Sequence, residues 1–161
     1  MSWVKIWVHM VFTTKYRTPY LATPDLRDAM FRHIKQNARE KNIWLDCVNG
    51  YSEHAHCLIS LGREQTICDV AQLIKGESSF WMNKQGLLDQ PFIWQDDYWA
   101  VGVSESHMQR VRKYIHNQEE HHKKVTFKHE IERFEQKHGW KRIPGTRSGS
   151  GSGSGSRSTS R

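Results

Sequence analysis

The sequence predicts an α+β domain, a ferredoxin-like antiparallel sheet with helices packed on one face and one further helix towards the C-terminal end. Three observations carry that prediction. Apolar residues alternate with period two in several short runs, they recur at helical spacing in others, and the elements so identified follow the order β-α-β-β-α-β before the final helix.

In order, "VKIWVHMVF" places Val4, Ile6, Val8, Met10 and Phe12 at every second position, the pattern of a strand with one buried face. Thr23 and Pro24 form a helix start, a capping hydroxyl followed by proline at the first helical position. Leu26, Met30 and Ile34 then recur at four-residue spacing, so a helix is expected to run to about Lys41. "IWLDCVNGYSE" and "HAHCLISL" read as an antiparallel strand pair, and a second helix from roughly Thr66 to Lys84 carries Ile67, Val70, Ala71 and Ile74. "FIWQDDYWAVGV" reads as a further strand or hairpin. "SESHMQRVRKYIHNQEEHHKK" reads as one long helix opened by Ser104 or Ser106, the latter with Gln109 in capping-box position.

A chain of 161 residues suits one compact domain, assigned to residues 1–143. Residues 144–161 are a Gly/Ser-rich tail that buries no apolar surface and reads as a flexible appended linker. The formal charge is +7, and without Arg147, Arg157 and Arg161 of the tail the excess falls to +4, a mild bias compatible with a polyanionic partner. Cys47, Cys57 and Cys68 are an odd set with no CxxC pair, so they are expected as buried thiols of a reducing compartment rather than disulfides or a zinc knuckle. The apolar N-terminal stretch is interrupted by Lys5 and His9 and is too short to span a bilayer, so a cytoplasmic protein with no membrane segment is expected.

Two fragments hold the residues that chemistry needs. In "YSEHAHCLIS" strand alternation puts His54, His56 and Leu58 on one face and Ala55, Cys57, Ile59 and Leu61 on the other, and the second set is expected under the helices. Imidazoles two residues apart on a strand point the same way with Cα atoms roughly 6.5 Å apart, which suits a shared divalent ion, although an ordinary solvated face looks the same. In "RKYIHNQEEHH", Tyr114 and Gln118 share a helix face that His121 or His122 continues, as they also would on a merely amphipathic helix. Taken together the fragments suggest more. A tyrosine attacks phosphorus when a metal ion polarises the phosphate, and neutral imidazole and carboxamide ligands leave that ion's charge undiminished. Mg²⁺ or Mn²⁺ would serve, the imidazoles favouring Mn²⁺.

The sequence resembles the small single-tyrosine HUH transposases of the IS200/IS605 type, including their relatives associated with repetitive extragenic palindromes. Four motifs carry the likeness in order: "EHAHCLIS", "IKGESS", "FIWQDDYWAVGVS" and "YIHNQEEHH". The resemblance implies that His54, His56 and Gln118 hold the metal and that Tyr114 is the nucleophile. His121 and His122 match a recurring pair to which it gives no role. It further implies a homodimer in which the tyrosine helix of one subunit completes the histidine site of the other. The reaction would be attack on single-stranded DNA at hairpin-marked element ends, giving a 5′-phosphotyrosine and a free 3′-hydroxyl. Such an exchange conserves bond energy, in keeping with the lack of a GxxxxGK[ST] loop.

Lys75, Arg110, Arg112 and Lys113 are candidate phosphate contacts, and Trp94, Tyr98 and Trp99 candidate stacking platforms for bases. Glu53 stands where such proteins usually carry Asp, and Asp97 where they usually carry Gly, neither expected to touch the chemistry. The competing readings are a hairpin-binding regulator that has lost transposition, a replication-initiator or relaxase nuclease, and a ferredoxin-like domain whose histidines are incidental.

Overall fold

The computed structural model describes residues 1–139, and the tail expected at 144–161 lies outside them. They fall into two compact units, one ending at Phe127 and one beginning at Lys128. In the first unit β1 (Ile6–Thr14), α1 (Pro24–Glu40), β2 (Trp44–Gly50), β3 (His54–Leu61), α2 (Ile67–Gln85) and β4 (Trp94–Val103) appear in the expected order, followed by α3 (Met108–His116) and α4 (Gln118–His122). A further helix, α5 (Phe127–His138), makes up most of the described part of the second unit. No described helix is long and apolar enough to cross a membrane.

The four strands form one antiparallel sheet in the order β2-β3-β1-β4. This is the split βαβ topology, in which each crossover helix returns the chain to the same face. Thr23 caps α1 by accepting from the Leu26 N–H, and Thr66 caps α2 through Asp69 N–H. Gly86 ends α2 in the left-handed conformation that glycine adopts without steric cost.

The main core lies between α1, α2 and the sheet. Val8, Met10 and Phe12 of β1 and Ala55, Cys57 and Ile59 of β3 pack there against Met30, Ile34, Val70 and Ile74. Full burial of such side chains contributes about 1.5–3 kcal/mol each for the larger ones. The alternation of β1 overreaches at its start, since Val4 lies before the strand and Val4 and Ile6 are exposed.

On the opposite face a smaller cluster joins Cys47, Leu58, Met108 and Ile115, with Trp7, Val103, Val111 and Tyr114 at its edge. Helix α3 therefore covers the histidine face, and His54 and His56 are fully buried rather than solvated. Cys47 and Cys57 are buried as expected, and burial pushes the Cys47 thiol up to about 12, which keeps it protonated. Cys68 departs from expectation: it lies on the outer side of α2 and is exposed.

The expected long C-terminal helix is broken. A 3-10 turn (Glu105–His107) precedes α3, neither Ser104 nor Ser106 caps it, and the chain leaves helical geometry at Asn117 before α4. The cause is tertiary. Asn49 Nδ2 reaches from β2 to donate to the Ile115 and His116 carbonyls at 3.0 and 3.1 Å, taking up acceptors that a helix end leaves open. A bulge in β2 at Asp46 aims that carboxylate at Arg112, which donates to it through two nitrogens at 2.8 and 2.9 Å.

Candidate active site

Alternation along β3 sends His54 and His56 beneath α3 and α4, and the two anchors just described hold Tyr114 above them. The Tyr114 ring lies 5.6 Å from that of His56, 6.3 Å from His9 and 5.4 Å from His121, centroid to centroid. Gln118, fully buried on α4, points its Oε1 at His54 Nε2 (3.1 Å) and at His122 Nε2 (3.0 Å). Thus all four residues singled out by sequence, His54, His56, Tyr114 and Gln118, meet within one chain.

The hydrogen bonds orient the groups of the site. Gln118 Nε2 donates to the Tyr114 carbonyl at 3.4 Å, which assigns the oxygen to the histidine side of the amide. His54 Nδ1 donates to Glu53 Oε1 at 3.0 Å, which turns Nε2 towards Gln118. Burial raises the pKa of Glu53, but its hydrogen bonds with His54 and Ser52 outweigh this and hold the carboxyl below its ordinary range. His54 Nε2 and Gln118 Oε1 therefore lie 3.1 Å apart in a buried site. With His54 neutral, both atoms could bind one cation in place of the hydrogen bond between them. The neutral nitrogen and oxygen donors fit a divalent ion.

Three residues of this neighbourhood escaped the sequence reading. His9 Nε2 lies 2.9 Å from His56 Nδ1, a contact that fixes the His56 ring as an outer partner of a metal ligand does. Its signal was present: His9 is the polar interruption on the histidine-facing side of β1, directly opposite Leu58. Glu53 was expected to be idle, yet it orients His54. Arg27, buried on α1, donates through Nε and Nη2 to Glu119 Oε1 at 3.0 and 2.8 Å and through Nη1 to the Leu21 and Ala22 carbonyls. Its guanidinium also lies 4.9 Å from the centre of the Tyr51 ring, which stacks on His122. Arg27 thereby clamps α4 against the histidines. Replacing it with Met, which keeps the stem and removes the donors, is expected to cost about 2 kcal/mol, read as a lower urea midpoint.

The candidate DNA contacts separate by environment. Arg110 and Lys113 are exposed on α3. Arg112 is committed to Asp46, and Lys75 Nζ, its pKa lowered by burial, donates to the Asp96 carbonyl at 2.7 Å. Trp94 is a correction: it is only 4% exposed, packs edge-on against Phe12 and Phe92, and donates its indole N–H to Ser78 Oγ, so it has no face for a base. Tyr98 and Trp99 are partly exposed.

Comparison with known proteins bears on the fold and the family. A crystal structure assigned to a transposase of Deinococcus radiodurans R1 superposes with a TM-score of 0.59 at 24% identity, covering 73% of this chain and 93% of that one. A REP-associated tyrosine transposase bound to a REP hairpin gives a TM-score of 0.53 at 21% identity, covering 83% and 84%. At these identities the likeness speaks for the fold alone. No curated protein matches. The family model described as "Transposase IS200 like" matches residues 2–118, almost the whole of the first compact unit, and the chain belongs to that transposase family.

Proposed function

We propose that this transposase cleaves and rejoins single-stranded DNA at hairpin-marked element ends, with Tyr114 as nucleophile and with His54, His56 and Gln118 holding Mg²⁺ or Mn²⁺. The observation that carries the reading is the juxtaposition of the Tyr114 ring, 5.6 Å from His56, with His54 Nε2 and Gln118 Oε1, 3.1 Å apart. The ion, when bound, supplies positive charge to a non-bridging phosphate oxygen.

The protein supplies the rest. Asn49 and Arg112 hold α3 so that Tyr114 stays over the histidine face, and Glu53 and His9 fix the ligand rings. Attack by Tyr114 Oη forms the bond to phosphorus and breaks the bond to O3′. The phenolic proton is lost and the departing O3′ gains one, leaving a 5′-phosphotyrosine and a 3′-hydroxyl. That hydroxyl, or another, reverses the step on a second strand without ATP. Exposed Arg110 and Lys113 on α3, with Tyr98 and Trp99 on β4, are the side chains placed to grip the strand. The hairpin bound by one structural neighbour favours a hairpin substrate here. Because one chain gathers a whole constellation, a homodimer would offer one site to each element end, whether or not the tyrosine helices exchange.

Removal of the metal is the test. With a hairpin-bearing oligonucleotide, EDTA is expected to abolish cleavage while gel-shift binding of the hairpin persists, and MnCl₂ to restore cleavage. Cleavage that is indifferent to EDTA would refute the metal role. Binding with no cleavage under any metal would favour the regulator.

A further inference from the structure

His122 is a close neighbour of the proposed ligands to which the family resemblance gives no role. Its Nε2 lies 3.0 Å from Gln118 Oε1, on the oxygen that also faces His54 Nε2 at 3.1 Å. A ring nitrogen of His122 and one of His54 lie within 4.8 Å of each other, and the two rings are 4.5 Å apart at 61°. In an octahedral shell, metal–donor bonds of about 2.0–2.2 Å place adjacent donors about 2.8–3.1 Å apart, so these two hydrogen-bonded separations also suit adjacent ligands of one ion. The His122 ring is also held in place, since Tyr51 stacks on it at 5.5 Å and 17°, and Arg27 lies over Tyr51.

We infer that His122 is a further ligand of the same ion, beside His54 and the Gln118 carboxamide, so that with His56 of the proposed site the ion would take three imidazoles. The inference rests on the metal-site reading above and extends it to specificity. A further imidazole shifts the donor set towards a divalent transition ion such as Mn²⁺ and away from Mg²⁺, which prefers oxygen donors and water. His122 reaches the ion from the same short helix as Gln118, so α4 delivers two ligands where the sequence resemblance assigns one.

The experiment uses MnCl₂ and the full chain without DNA. Pulsed EPR, which counts directly bound imidazole nitrogens through their coupling to the electron spin, is expected to find three in the wild-type protein and two in His122→Ala. Titration calorimetry is expected to show Mn²⁺ affinity falling about tenfold or more in that variant, at least the loss that even outer-shell changes cause. His116→Ala, which removes an exposed imidazole from α3, should change neither. A wild-type count of two, or a count and affinity that His122→Ala leaves unaltered, would overturn the inference while leaving the site intact. Absence of Mn²⁺ binding in the wild type, or no effect of His54→Ala, would overturn the metal reading and the inference with it. If His122→Ala fails to fold, the wild-type count decides alone.

Discussion

Tyr114→Phe is expected to abolish the covalent protein–DNA adduct and strand cleavage while leaving hairpin binding within a few-fold of wild type. The substitution removes one oxygen. The phenyl ring keeps its packing at the edge of the Cys47, Leu58, Met108 and Ile115 cluster. The hydroxyl is the atom that forms the bond to phosphorus, and no other side chain on α3 can replace it at that position. Loss of a nucleophile removes the covalent route altogether, so the effect should exceed the roughly 10²–10⁴-fold that a positioned acid or base contributes. The assay is a denaturing gel with labelled oligonucleotide and MnCl₂, beside a native gel for binding. Adducts persisting in Tyr114→Phe would reject Tyr114 as nucleophile.

Gly50→Ala is expected to be the most damaging single substitution outside the ligands. A Cβ at Gly50 would lie 2.0 Å from the His54 carbonyl oxygen and 2.9 Å from Ala55 Cα, both backbone atoms of the neighbouring strand. No rotamer change relieves such contacts, so β2 and β3 must part where Tyr51 N–H donates to that same carbonyl at 3.1 Å. The cost should reach or pass the upper end of the about 1–3 kcal/mol typical of overpacking. That is a large share of the about 5–15 kcal/mol by which domains are stable. Because the displaced residue is His54, Mn²⁺ affinity should fall along with the urea midpoint. Gly76→Ala is the control: within α2 its Cβ meets nothing within 4 Å, and it should be neutral or stabilising by up to about 1 kcal/mol. Equal stability of the two variants would contradict the strand register described above.

Much of the fold could be read from local rules because the features concerned are local. Thr23 with Pro24, and the alternation of Val8, Met10 and Phe12, express backbone and burial preferences that need no distant partner. The same alternation brought His54 and His56 to one face, and helical spacing brought Tyr114 and Gln118 together. What stayed hidden depends on residues far apart in sequence. The break at Asn117 follows from Asn49 and from the Asp46 bulge, neither visible in a helix pattern. Arg27 reads as a surface charge until α4 folds over it, and His9 as a flaw in a strand until β1 sets it beside His56. Trp94 failed as a stacking platform for the converse reason. Aromatic residues of an edge strand suit either a base or a core, and Ser78 on α2 decides for the core.

The central claim is that Tyr114, held over the His54, His56 and Gln118 cluster, forms a covalent bond to DNA. It is tested most directly by trapping the adduct with Mn²⁺ on a hairpin-bearing single strand, digesting it with protease and nuclease, and locating the modified peptide by mass spectrometry. The account predicts a single phosphorylated residue, Tyr114, linked to the 5′ side of the cleaved bond. A nucleotide on any other residue, or a 3′ linkage, would contradict it.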